Sequence, residues 1–266
     1  MPEHPAPSDD TPAIVLDGVS KAFGSHVVLD KVSLTVRKES IMVMLGPSGT
    51  GKSVLLRCLV GLLRPDAGRV LVFGEDVARL DPERPADRKH LFRIRRRFGM
   101  LFQDGALFDD MTVGENVAFP MRMHTDLSGK EIKARVADKL ARVGLPTAAG
   151  KFPSELSGGM RKRVAFARAI ALEPDIVLCD EPSSGLDPVM AATLDELILE
   201  LHQTLGMTFV VITHDTAEAA KIADTIGLLS KGQLVTYGPR EQVLGSDHPA
   251  LRQFFERSTE GPIQVV

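Results

Sequence analysis

The sequence predicts an α/β fold built on a largely parallel sheet. Three observations carry that prediction. Short, continuously apolar runs alternate with helical stretches over 40–63 and again over 175–230. Strands covered on both faces read this way, and their alternation with helices implies crossover connections. A glycine-rich loop, GPSGTGKS (46–53), joins one such run to a helix. Another run, IVLCDE (176–181), ends in two carboxylates.

Taken in order, residues 1–12 hold four prolines and two aspartates and read as a disordered tail. AIVLDGVS (13–20) and VVLDKVSLTV (27–36) read as strands around a turn at Gly24–Ser25. SIMVML (40–45) is a buried strand. SVLLRCLVGLL (53–63) is apolar nearly all round and reads as a buried helix. GRVLVFG (68–74) is a further strand, and the polar 75–90 is a surface excursion. RFGMLFQ (97–103) is a strand. Residues 112–145 are helical, with Ser128 three before Glu131 in capping-box spacing. A helix then runs to about 172. Strands at 175–180, 208–213 and 225–230 alternate with helices at 188–205 and 215–223, the first opened by Pro188. The helical stretch 104–172 interrupts the alternation and forms an inserted lobe.

Composition narrows the function. The chain has 266 residues, 44% hydrophobic and 25% charged, enough for one globular domain with a lobe. A net charge of −3 argues against nucleic-acid binding, so the basic run RIRRR (93–97) reads as a solvated face. Cys58 and Cys179 lie in apolar runs and read as reduced core residues. No apolar run reaches the roughly 18–20 residues of a membrane span, and the acidic, Pro-rich start is unlike a signal peptide. A membrane role would therefore go through a partner.

The loop 46–53 fits G-x-x-x-x-G-K-[ST], in the strand–loop–helix setting that motif requires. Gly46, Pro47, Ser48, Gly49, Thr50 and Gly51 form a turn whose N–H groups can point at phosphate oxygens. The helix N-terminus adds its positive end. Lys52 would reach the β- and γ-phosphates, and Ser53 would hold Mg²⁺. Asp180, at a strand end, would also hold Mg²⁺. Glu181, one residue on, is free to polarise an attacking water. His214 follows a strand, Gln103 ends another, and Phe23 is a candidate platform for a nucleotide base. LSGGMRKRVAFARA (156–169) sets Ser157, Gly158 and Gly159 at a helix start. A β-carbon at either glycine would stand between the backbone and an approaching phosphate.

In this order the motifs resemble the nucleotide-binding subunit of an ATP-binding cassette (ABC) transporter, from about residue 13 to 257. The resemblance implies a P-loop ATPase domain over 13–247 with an antiparallel β subdomain, and a C-terminal extension over 248–266. It implies ATP and Mg²⁺ as cofactors, with Gln103 sensing the metal and Asp187 of SGLD (184–187) among the nucleotide-binding residues. It places Glu181, His214 and Lys52 in catalysis. ATP would lie between two cassettes arranged head to tail, the phosphate loop of one facing the LSGGM of the other.

Met160 departs from the commoner LSGGQ. Together with LFQDGALF (101–108) and the tail LRQFFERSTEGP (251–262), it is similar to the Mla-type ATPases of Mce lipid-transport systems. That resemblance implies a permease dimer, an Mce-domain periplasmic protein and a STAS-domain protein as partners, at the cytoplasmic face of the inner membrane. The alternatives are an importer ATPase for a small solute such as an amino acid, a non-transport cassette, and a non-hydrolysing regulator. One cassette without heptads argues against the non-transport cassette, and Glu181 with His214 against the non-hydrolysing regulator.

Overall fold

The computed structural model describes residues 12–263. The expected tail over 1–12 lies almost wholly outside these residues. Four strands, β1 (Ile14–Phe23), β2 (His26–Val36), β4 (Ala67–Val72) and β5 (Glu75–Asp76), form an antiparallel sheet in the order β2-β1-β4-β5. The second sheet contains β3 (Ile41–Leu45), β6 (Phe98–Leu101), β7 (Ile176–Asp180), β8 (Thr208–Thr213), β9 (Thr225–Ser230) and β10 (Gln233–Pro239). Its order is β10-β9-β3-β8-β7-β6. Only the β9–β10 pair is antiparallel. The expected sheet core and antiparallel subdomain are both present.

Period-two alternation divides the core. Met42 and Met44 point to the side of Leu55 and Leu56 on α1 (Lys52–Leu59) and the small sheet. Ile41, Val43 and Leu45 point to the other side, where Phe166, Val117 and Ile198 pack. The helical lobe consists of α3 (Val113–His124), α4 (Gly129–Arg142) and α5 (Gly158–Ala169). The expected capping box at Ser128 and Glu131 opens α4, and a second one, Thr112 with Glu115, opens α3. Each such cap is worth about 1 kcal/mol.

The excursion over 75–90 leads into a helix, α2 (Pro85–Arg95), that the sequence reading did not anticipate. Its only buried residues are Leu91 and Ile94, too few to stand out against six basic side chains over 88–97. The helices α6 (Pro188–Leu205) and α7 (Thr216–Ile222) match expectation. α8 (Arg240–Leu244) and α9 (Pro249–Glu256) were not foreseen. Residues 249–263 are joined to the main core through Ala250, Leu251 and Ile263.

Strand order fixes the site. β8 lies between β3 and β7, with Leu45 beside Thr213 and Asp180 beside Ile212. On the far side of β7, Leu101 of β6 pairs with Cys179. The phosphate loop, His214, the acid pair and Gln103 therefore all follow the carboxyl ends of parallel strands, where open α/β sheets bind ligands.

Candidate active site

The phosphate loop is built on close approach. A Cβ at Gly46 would lie 2.3 Å from the carbonyl oxygen of Leu229, and one at Gly51 would lie 2.7 Å from that of Val28. The second contact shows that β2 packs against the loop. Among the described residues, no hydrogen bond joins the N–H groups of Gly49, Thr50, Gly51, Lys52 or Ser53 to another backbone group. They are a set of unpaired donors at a helix N-terminus, which suits an anion with several oxygens.

Lys52 is 6% exposed. Its Nζ donates to the carbonyls of Gly46 at 2.6 Å and Pro47 at 2.9 Å, and lies 3.8 Å from Glu181 Oε1. Burial pulls its pKa down, against the opposing pull of Glu181 and Asp180. Ser53 Oγ donates to Asp180 Oδ1 at 3.3 Å. His214 Nδ1 is 2.6 Å from Glu181 Oε2. An ionised carboxylate only accepts, so the ring N–H donates. Glu181 adopts φ +49°, a left-handed conformation that a non-glycine residue enters only when its surroundings impose it. The N–H of Glu181, donating to Ile212 O at 2.8 Å, holds that turn to β8.

The other candidates lie around this centre. Gln103 is exposed, and its Nε2 reaches Ser184 Oγ at 3.4 Å; no hydrogen bond joins it to Ser53 or Asp180. Phe23 is half exposed at the end of β1, with Lys21 Nζ 5.6 Å from the ring centroid. Asp187 caps α6, accepting from the N–H groups of Val189 and Met190. Ser157 caps α5, accepting from Met160 N at 3.3 Å.

The two glycines after Ser157 differ in what surrounds them. A Cβ at Gly158 would meet nothing nearer than Leu186 at 3.7 Å, whereas one at Gly159 would fall 2.1 Å from Met190 Cε. That atom is the tip of a flexible side chain that can move aside, so packing within the chain does not by itself call for glycine at either position. No hydrogen bond or ion pair among the described residues joins 157–159 to 46–53.

A family model for ABC transporters matches residues 29–184, more than half of the chain. The chain belongs to this family. It is an ATP-binding ATPase cassette. It is 46% identical over 251 residues to the probable ribonucleotide transport ATP-binding protein mkl of Mycobacterium tuberculosis, covering 94% of this chain and 68% of that one. It is 43% identical over 245 residues to the intermembrane phospholipid transport system ATP-binding protein MlaF of Escherichia coli, covering 92% and 89%. The cassette MJ0796, solved as a dimer in a post-hydrolysis state with ADP and Pi, superposes with a TM-score of 0.76. Its identity is 31%, covering 85% of this chain and 98% of that one. CbiO1 of Clostridium perfringens gives a TM-score of 0.81 at 26% identity, covering 94% and 95%.

Several residues of this cassette escaped the sequence reading. Asn116 is fully buried and ties down the loop before α3: Phe108 N donates to its Oδ1 at 2.8 Å, and its Nδ2 donates to the carbonyls of Phe108, Met111 and Thr112. Lys162 and Arg168 are cations on α5 turned inward. The only signal for Lys162 was its spacing, since Gly159, Lys162 and Phe166 share one helical face.

Glu218 is 3% exposed, with Ser183 Oγ at 3.2 Å from Oε2 and no partner for Oε1. Burial pushes its carboxyl up to about 7, and Asp195 nearby up to about 6. A carboxyl raised in the folded state binds more protons folded than unfolded, so stability falls as pH rises from about 4.5 to about 7. Glu218→Gln is expected to flatten that part of the Tm-against-pH curve and to be the more stable protein at pH 8. A parallel pair of curves would show that Glu218 does not titrate in that window.

Proposed function

We propose that this chain is the ATP-hydrolysing subunit of a phospholipid transporter, working as a head-to-tail dimer on a separate membrane permease. The observation that carries hydrolysis is the position of Glu181, between Lys52 and His214 and next to the Ser53–Asp180 pair. The unpaired N–H groups of 49–53 and the Lys52 ammonium would cradle the ATP phosphates. A hydroxyl beside one carboxylate is a hard-oxygen pair suited to Mg²⁺, which commonly takes few protein ligands and completes its shell with phosphate and water. Ser53 and Asp180 would hold the ion, with Gln103 reaching it as the loops close, and Mg²⁺ supplies neutralisation of β- and γ-phosphate charge. Glu181 would orient a water and accept its proton, while His214 holds the carboxylate's second oxygen. Phe23 would stack on the base. Ser157, Gly158, Gly159 and Asp187 would complete the site across the dimer, in keeping with the dimeric ADP-bound MJ0796.

The phospholipid assignment rests on the likeness to MlaF, along with LFQDGALF and LSGGM. We infer Mce-domain and STAS-domain partners, and a peripheral position on the cytoplasmic side of the inner membrane, from the resemblance carried by LFQDGALF, LSGGM and the tail LRQFFERSTEGP. No helix among the described residues is long and apolar enough to cross a membrane. The mkl likeness favours a second reading, the ATPase of a ribonucleotide transporter. Purifying the intact complex and identifying its bound small molecules and membrane subunits separates the two. Co-purified phospholipid with an Mce-domain protein supports the first, and co-purified nucleotide cargo with neither supports the second.

A groove of about 590 Å³ between α2, β6 and α3, lined by Phe92, Phe102, Phe108 and Phe119, is the proposed seat for a permease helix. Phe108 is 39% exposed and packs against Phe119 at a tilt, with centroids 4.9 Å apart, so a charge can be placed there without opening the core. Leu107 packs against that core and is the poorer probe. Phe108→Glu is expected to detach the cassette from its complex while ATP binding by the isolated chain is unchanged. Unaltered assembly and transport would remove the groove from the docking surface.

A further inference from the structure

Lys162 is a buried cation, and among the described residues no carboxylate is in ion-pair contact with it. It is 6% exposed, and burial pulls its pKa down. Its ammonium donates to two carbonyls from separate parts of the chain, those of Gln103 and, at 3.3 Å, Glu181. The acids that face it from other elements, Asp104, Glu218 and Glu181, act only at a distance. Burying an ammonium is costly unless its protons are well used. A neutral side chain would fill the same space without that cost. The location of the two acceptors explains the choice. One is the residue that leads into the permease-facing loop, and the other is the proposed general base. Lys162 itself lies in the second turn of α5, three residues after Gly159.

The same helix grips the loop a second time. Arg168 donates to the carbonyls of Gly105 and Ala106, both at 2.6 Å. Loop 103–106 is therefore bound to α5 at both ends, but only Lys162 also reaches the Glu181 turn. That turn is held in a left-handed conformation at φ +49°. With its N–H held by Ile212 O and its carbonyl by the Lys162 ammonium, the Glu181 backbone is fixed on both sides of Cα, and with it the direction in which the side chain leaves the chain.

We propose that Lys162 is a positioning residue for hydrolysis: it sets Glu181 from the LSGGM helix and ties that setting to the Gln103 loop. The inference rests on Glu181 being the group that activates water. The ammonium's contact with the Glu181 carbonyl is long, at 3.3 Å, but charge-assisted, and the same ammonium also holds Gln103 O, so a shift of α5 or of the loop is passed to Glu181 through one side chain.

The test compares Lys162→Met, Lys162→Gln and Lys162→Arg, with Glu181→Gln and Arg168→Met alongside. Each purified chain is assayed for ATP affinity by nucleotide titration, and for kcat per nucleotide-binding chain. A misplacement of about 1 Å can cost on the order of 10²-fold in rate. Lys162→Met is therefore expected to lose about 10–100-fold in kcat per competent chain, with KM for ATP within about threefold of wild type. Lys162→Arg should recover most of the rate and Lys162→Gln part of it. Arg168→Met should leave basal kcat within about threefold, because it does not reach Glu181.

A purely structural role would lower the folded fraction while leaving kcat per competent chain unchanged, and that result overturns the proposal. So does a loss in which KM rises as much as kcat falls, or one that Arg does not rescue. If Lys162→Met does not fold, the order Lys, Arg, Gln in kcat decides alone, and equal rates for the three overturn it. Near-normal turnover in Glu181→Gln would instead remove the reading of Glu181 itself. A silent Lys162 series beside an inactive Glu181→Gln removes only the present inference.

Discussion

Glu181→Gln is expected to bind ATP as wild type does and to hydrolyse it about 10²–10⁴-fold more slowly, the usual worth of a general base. Glutamine keeps the size of the side chain and can still accept from His214 Nδ1, so the 2.6 Å contact survives. It also leaves the acceptors of Lys52 at Gly46 and Pro47 in place. What it removes is the proton acceptor. Nucleotide that is bound but not turned over should hold two chains together, so the variant is expected to run as a dimer with ATP and as a monomer without it. The checks are a single-turnover assay and size-exclusion chromatography in both conditions. Turnover near the wild-type rate would take Glu181 out of the mechanism, whatever its contacts.

Mixing two inactive variants is expected to restore about a quarter of wild-type activity. Lys52→Ala removes a buried ammonium from the phosphate loop. Ser157→Arg puts a large side chain at an exposed position at the start of α5, costing one N-cap, about 1 kcal/mol, and little else of the fold. In a two-fold head-to-tail dimer both sites are built from the same pair of surfaces. A mixed pair then carries both defects in one site and none in the other. Random exchange makes about half the dimers mixed, hence about a quarter of the activity if sites fire independently. If both sites must fire together, hydrolysis recovers less, but ATP-dependent dimerisation still returns in part. If each chain completed its own site, every site in the mixture would keep one defect. An inert mixture with proven subunit exchange would count against a shared site. The expectation of a shared site comes from the family resemblance, and within the chain no hydrogen bond among the described residues joins 157–159 to 46–53.

The sequence by itself determined the fold class, the order of most elements and the identity of the phosphate loop. These follow from local rules: period and continuity of apolar runs, glycine where no β-carbon fits, and capping residues three apart from their partners. It also supplied Asp180, Glu181 and His214 as candidates, because each stands at the end of an apolar strand. Its failures were equally local. The helix α2 hides two buried residues among charges, and the half-buried edge strand β10 gives no continuous apolar run.

Tertiary structure alone decided that β8 lies between β3 and β7, so that His214, which follows β8, reaches Glu181 on the side away from Lys52. It alone decided that Gly159 faces Met190 and that Lys162 reaches both Gln103 and Glu181. The physical reason is common to all three. A side chain's period along its own helix or strand tells which face it occupies, but not what the rest of the chain sets against that face. A buried lysine is legible as buried from its spacing. The carbonyls that make its burial tolerable come from residues 59 and 19 positions away in the sequence, and only packing brings them to it.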